Sequence, residues 1–167
     1  MDLIGIRENP VVMDLMDGET HFPHNRAVTL GYIKNAIVNT EPKDIYSFDR
    51  TGITGHTDHF TVNNLTEEAM RDLGVKHMRY WNVGLTREGA DKMIMDTMPN
   101  TNMFRYARPS IVTPDKTIDI TAEVSLLIES FSRYATQFTA NACKDIKKYF
   151  ESYPYINLKR VNYRKAE

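Results

Sequence analysis

The stretch Thr117–Ile156, TIDITAEVSLLIESFSRYATQFTANACKDIKKYFESYPYI, changes its apolar period partway along, and that change decides the fold class. From Ile118 to Ile128 the even positions are Ile118, Ile120, Ala122, Val124, Leu126 and Ile128. The odd positions are polar except Leu127, so the pattern predicts a strand with one buried and one wet face. After Ser132, Arg133 and Tyr134 the period becomes helical. Phe138, Ala142, Cys143, Ile146, Tyr149, Phe150 and Tyr153 share one face, with Asp145, Lys147, Lys148 and Glu151 opposite. This predicts an amphipathic helix over Ala135–Tyr153, stopped by Pro154, and then an extended return from Tyr155 to Tyr163. Strand, helix and strand in this order indicate an α+β domain with a mostly antiparallel or mixed sheet.

The rest of the chain reads outward from this block. Asn25 can cap a helix through Val38, with Ala27, Leu30, Ile33 and Ile37 on one face. Ile45–Phe48 is extended. Thr66 with Glu67 and Glu68 opens a short helix closed by Gly74 as a left-handed cap. Lys76–Val83 is extended, Thr86 caps a helix through Met98, and Met103–Val112 is extended and broken by Pro109. The helices Ala135–Tyr153 and Asn25–Val38 are expected to cover one face of the sheet.

The 167 residues suit one domain, residues 1–167, large enough to bury a core. Net charge is −1, which gives no overall attraction for nucleic acid or an acidic membrane, and no apolar run is long enough for a membrane helix. Met1–Pro10 carries no secretory pattern, so the cytoplasm is the expected compartment. The single cysteine, Cys143, excludes an internal disulfide and falls on a helix stripe, where it reads as a core residue. Charge is uneven: Asp2, Glu8, Asp14, Asp17 and Glu19 crowd the head, and Lys159, Arg160, Arg164 and Lys165 the tail.

One cluster could carry chemistry. In GITGHTDHFTV, Gly52–Val62, His56, Asp58 and His59 offer three ligands for a divalent ion, with His21, His24 or His77 as further arms. The glycines and β-branched neighbours argue for a loop feeding a strand at Phe60 and Val62, in which residues three apart face opposite ways. His59-Phe60-Thr61 also fits half of a two-histidine phosphoesterase, but His77 is followed by Met78 and Arg79, so the second half is missing. No phosphate-binding glycine loop and no nucleophile elbow occurs. Neither a catalytic residue nor a cofactor site is assigned.

The block Thr117–Ile156 resembles the C-terminal portion of tail-terminator and head-to-tail connector proteins of long-tailed bacteriophages. The strand from Ile118, the corner Ser132-Arg133-Tyr134 and the helix Ala135–Tyr153 carry the likeness. Residues 66–100 would be a helical insertion relative to a minimal member. The resemblance implies a non-enzymatic virion protein, assembled in the host cytoplasm into a homo-oligomeric ring, commonly a hexamer, that contacts neighbouring virion proteins. It implies no cofactor, nucleic acid or membrane. Arg133, Tyr134, Lys159, Arg160, Tyr163 and Arg164 are the expected interface residues. Two other classes fit the sequence: a metal hydrolase or phosphoesterase built on His56, Asp58 and His59, and a small regulatory protein that binds a host partner.

Overall fold

A computed structural model describes residues 11–97, 110–134 and 138–162. The fold is α+β, with a four-stranded mixed sheet in the order β1-β2-β4-β3. Its strands are β1 Asp44–Phe48, β2 Arg79–Gly84, β3 Lys116–Asp119 and β4 Tyr155–Val161. Its helices are α1 Pro23–Thr40, a single turn α2 Gly52–Gly55, α3 Thr57–Leu73, α4 Arg87–Thr97, α5 Val124–Ser132 and α6 Ala140–Ser152. β1 and β2 are parallel and joined through α3, whereas β4 pairs antiparallel with both β2 and β3. Residues 66–100 therefore include β2, the strand that lies between β1 and β4. No helix of the described residues is long and apolar enough to cross a membrane.

The alternating segment Ile118–Ile128 is a strand only to Asp119. The Asp119 carboxylate accepts from the Thr121 amide at 2.9 Å and from the Thr121 hydroxyl at 2.6 Å. This local bonding turns the chain out of the ladder, and a 3-10 turn over Thr121–Glu123 leads into α5. Three of the alternating residues, Ile120, Val124 and Ile128, also fall at helical spacing with Leu127 and Phe131, so two periods compete in one segment. Ile120 and Val124 are buried, and the Phe131 ring meets Phe138 edge-on at 5.0 Å.

The helix expected over Ala135–Tyr153 begins at Ala140, where the Thr139 hydroxyl caps the Ala142 amide at 3.2 Å. Ala135–Gln137 lie outside the described residues, as do Met98–Pro109 and the final stretch from Tyr163. α6 packs on α4 and α5, and the helix lying on β1 is α3. The expected pair of covering helices is thus corrected to α3 with α1 behind it. Ile37 of α1, Ala69 and Met70 of α3, Met78 just before β2 and Tyr80 within it are all buried together, flanked by Leu30, Ile33, Ile45 and Leu73. Ion pairs Arg26–Glu68 and Lys34–Asp72 tie α1 to α3 at the rim of this core.

A second tie lies at the other end. The Tyr153 hydroxyl sits 2.6 Å from the Thr86 hydroxyl and accepts from the Asn157 amide at 3.1 Å. Asn157 in turn accepts from Thr117 at 3.0 Å, so α4, α6, β4 and β3 are locked by one hydrogen-bonded chain.

Candidate functional site

The histidine stretch is helical rather than a loop feeding a strand. α2 makes one turn, and α3 starts at Thr57 and runs without a break through Thr66 to Leu73. The helix expected to start at Thr66 is the second half of α3, and Thr66 donates to the Val62 carbonyl within it at 2.8 Å. Its C-terminal cap is Gly74, at φ 64°, as the sequence suggests. What hides the first half is Gly52 and Gly55 together with the β-branched Thr57, Thr61 and Val62. The glycines serve the turn before the helix: Gly52 has φ 66°, and a β-carbon there would come within 2.6 Å of His59 Cβ.

Each group in the cluster has a structural task. His56 is the N-cap of α3, and its Nδ1 accepts from the Asp58 amide at 3.3 Å. That bond places the proton on Nε2, which points at Asp17 Oδ1 3.5 Å away. Asp58 reaches back to the head of the chain: it accepts from the amides of Gly18 at 2.7 Å and Thr20 at 3.1 Å, and from the Thr20 hydroxyl. Burial opposes its ionisation, but the bonds from Thr20 and Gly18 and the nearby His56 outweigh burial and hold the carboxyl below the ordinary aspartate range. His59 Nδ1 donates to the Gly52 carbonyl at 3.0 Å, and its ring stacks flat on Phe48 at 3.9 Å.

Among the described residues, the group that converges tightly enough for an ion is Asp17, His56 and Asp58, with ligand atoms within 4.8 Å of one another. Asp17 takes the place the sequence gives to His59. Nothing local announces it, since it lies about forty residues away and reads as one more acid of the head. His21, His24 and His77 are exposed and outside this group. Both nitrogens of His56 and both oxygens of Asp58 already have protein partners, so the arrangement works as a helix cap and a clamp on residues 17–20.

The interface candidates divide. Arg133 pairs with Glu129 at 2.7 Å on the surface of α5, and the neighbouring Tyr134 is 62% exposed. Lys159 pairs with Asp115 at 3.1 Å, and the Arg160 amide donates to the same carboxylate at 2.8 Å. Tyr163 and Arg164 lie outside the described residues. Cys143 is half-buried with a free thiol.

Arg160 also belongs to an arrangement the sequence does not announce. Strand register sets Tyr46 beside Trp81 and Trp81 beside Arg160, so the three cross β1, β2 and β4 as one row. The row lies on the face opposite Tyr80 and Ile45, away from the α1–α3 core. Tyr46 is 55% exposed, Trp81 is half-buried and Arg160 is exposed. Asp44 braces the row, accepting from Trp81 Nε1 at 2.6 Å and from both ends of the Arg79 guanidinium. Compared with known protein families, curated proteins and solved structures, the chain matches none.

Proposed function

We propose that this chain is a non-enzymatic assembly component whose copies join head to tail into a closed ring. The observation that carries the reading is the Tyr46–Trp81–Arg160 row, exposed at Tyr46 and Arg160 and half-buried at Trp81. Tyrosine, tryptophan and arginine are the residue types most enriched where interfaces hold their energy, and here they form one rigid patch on a sheet. Its complement is on the same chain. The clamp on Asp58 holds the segment around Gly18 and Thr20 against α3 while Asp14 and Asp17 remain exposed, and Met16, 72% exposed, stands between them. Among the described residues no bond joins this acidic head to Lys159 or Arg160 of its own chain.

Two different patches that complement each other make a heterologous contact, and repetition of such a contact closes a ring when the rotation permits. The ring, its virion setting and its neighbouring virion proteins come from the resemblance to phage tail-terminator and head-to-tail connector proteins. With the long strand corrected, that resemblance now rests on α6 returning as β4. The test is the mass of the purified chain across concentration. Wild type should form a discrete species larger than a dimer, Arg160→Glu should dissociate it, and Asp14→Lys with Asp17→Lys in the Arg160→Glu background should restore it.

A further inference from the structure

A cavity of about 290 Å³ opens on the helix-covered face of the sheet beyond the end of β1, lined by Asp49, Arg50, Asn82, Val112 and Lys159 among others. Its volume is at the small end of the roughly 300–1,000 Å³ usual for ligand sites. Asp49, 3% exposed, has its two oxygens in different situations. Oδ1 accepts from the Thr51 amide and hydroxyl, both at 2.8 Å, and from the Ile53 amide at 3.0 Å. Oδ2 is buried and accepts from nothing. A buried carboxylate oxygen without a donor is an exception that a bound group would resolve.

The surroundings narrow what that group is. Oδ2 lies 3.5 Å from where a β-carbon on Gly84 would stand, and Val112 occupies the same space at 2.8 Å, so the strand needs glycine there. Asn82, 6% exposed, gives its carbonyl oxygen to Asn63 at 3.0 Å, and its amide nitrogen is the group it can offer. Lys159 faces Asn82 across the β2–β4 pair. The Arg50 side chain, 76% exposed, reaches Glu67 only at 3.8 Å. The cavity therefore has an acceptor at depth and donors and cations toward its mouth. Of the charged residues that line it, Asp49 is the one acid and Arg50, Lys159 and Arg160 are cations, so the lining presents a buried negative group and positive ones, which favours a ligand that carries both signs.

We infer that this cavity binds a small zwitterion of amino-acid type, its ammonium group on Asp49 Oδ2 and its carboxylate between Asn82, Arg50 and Lys159. The amine supplies the missing donor and pairs the buried charge, and the carboxylate meets the mouth cations. The site borders the assembly row at Arg160, which also lines the cavity, whereas Asn82 and Lys159 point to the opposite side of the sheet from Trp81.

Backbone-amide NMR of the full chain, titrated with each of the twenty standard amino acids and with methylamine and acetate as half-ligands, tests this. At least one amino acid should shift the Asn82, Gly84 and Val112 amides saturably and more tightly than either half-ligand. Asp49→Asn keeps an oxygen for the Thr51 and Ile53 donors and should weaken binding at least about tenfold. Should that variant fail to fold, the exposed pair Arg50→Ala with Lys159→Ala carries the test and should weaken binding several-fold. No saturable amino acid, equal binding by methylamine or acetate alone, or affinity unchanged in every folded variant would overturn the assignment.

Discussion

Asp58 shows how one side chain fixes both the head of the chain and the start of a helix. Its carboxylate takes the Gly18 and Thr20 donors while its own amide is capped by His56, so replacing it with alanine strands partly buried donors. Asp58→Ala should cost about 1–3 kcal/mol, read by urea unfolding. Because the folded carboxyl titrates below the unfolded value of about 3.9, its contribution is complete above that pH and is lost as pH falls through the folded value. Wild type should therefore lose stability below about pH 4, and Asp58→Asn should remove that part of the slope. Ile53 is the opposite case. It sits at φ 62° and ψ −54°, a conformation that a β-branched residue pays for, held there by Asp49. Ile53→Gly should raise the unfolding midpoint, with a gain of about 1 kcal/mol or more, and a loss would contradict the strain.

At the scale of elements, α5 is the decisive piece. Leu127→Pro removes an interior helical amide bond and should destabilise by about 3 kcal/mol or more, whereas an edge strand would tolerate proline far better. Circular dichroism with thermal unfolding separates the two. The strand reading of Ile118–Ile128 fails because Val124, Leu126, Leu127 and Ile128 are apolar almost without interruption and fit either period. The arbiter, an aspartate bonding two residues ahead, is visible only as Asp119 and Thr121 side by side. α3 was half legible for a similar reason: Gly74 marks its end clearly, while a histidine cap after two glycines is an uncommon start. α4, β1, β2 and β4 follow their sequence signals closely, since periodicity, Thr86 and Pro154 agree there, whereas α1 starts at Pro23, so Asn25 lies inside it and donates to the Glu19 carbonyl instead of capping the helix. The cluster His56–Asp58 was legible as residues but not as roles. Its third member, Asp17, and the Tyr46–Trp81–Arg160 row depend on long-range placement and strand register, which no local pattern encodes.

For the whole molecule, the two faces of the sheet have different tasks. One is sealed by α3 and α1 over Tyr80 and Ile45, with the Asp49 cavity beyond the end of β1. The other carries an aromatic and arginine row, exposed at Tyr46 and Arg160 and half-buried at Trp81, braced from within by Asp44. Truncating Trp81 there should leave the core intact, because the ring is outside the Ile37–Met70–Tyr80 cluster, yet remove the centre of the patch. The central claim is that this face joins copies of the chain. Sedimentation velocity of wild type and Trp81→Ala across a concentration series tests it most directly. The account predicts a discrete wild-type assembly larger than a dimer that collapses to a folded monomer in Trp81→Ala; a wild type that stays monomeric at the highest concentration, or an assembly indifferent to Trp81, would contradict it.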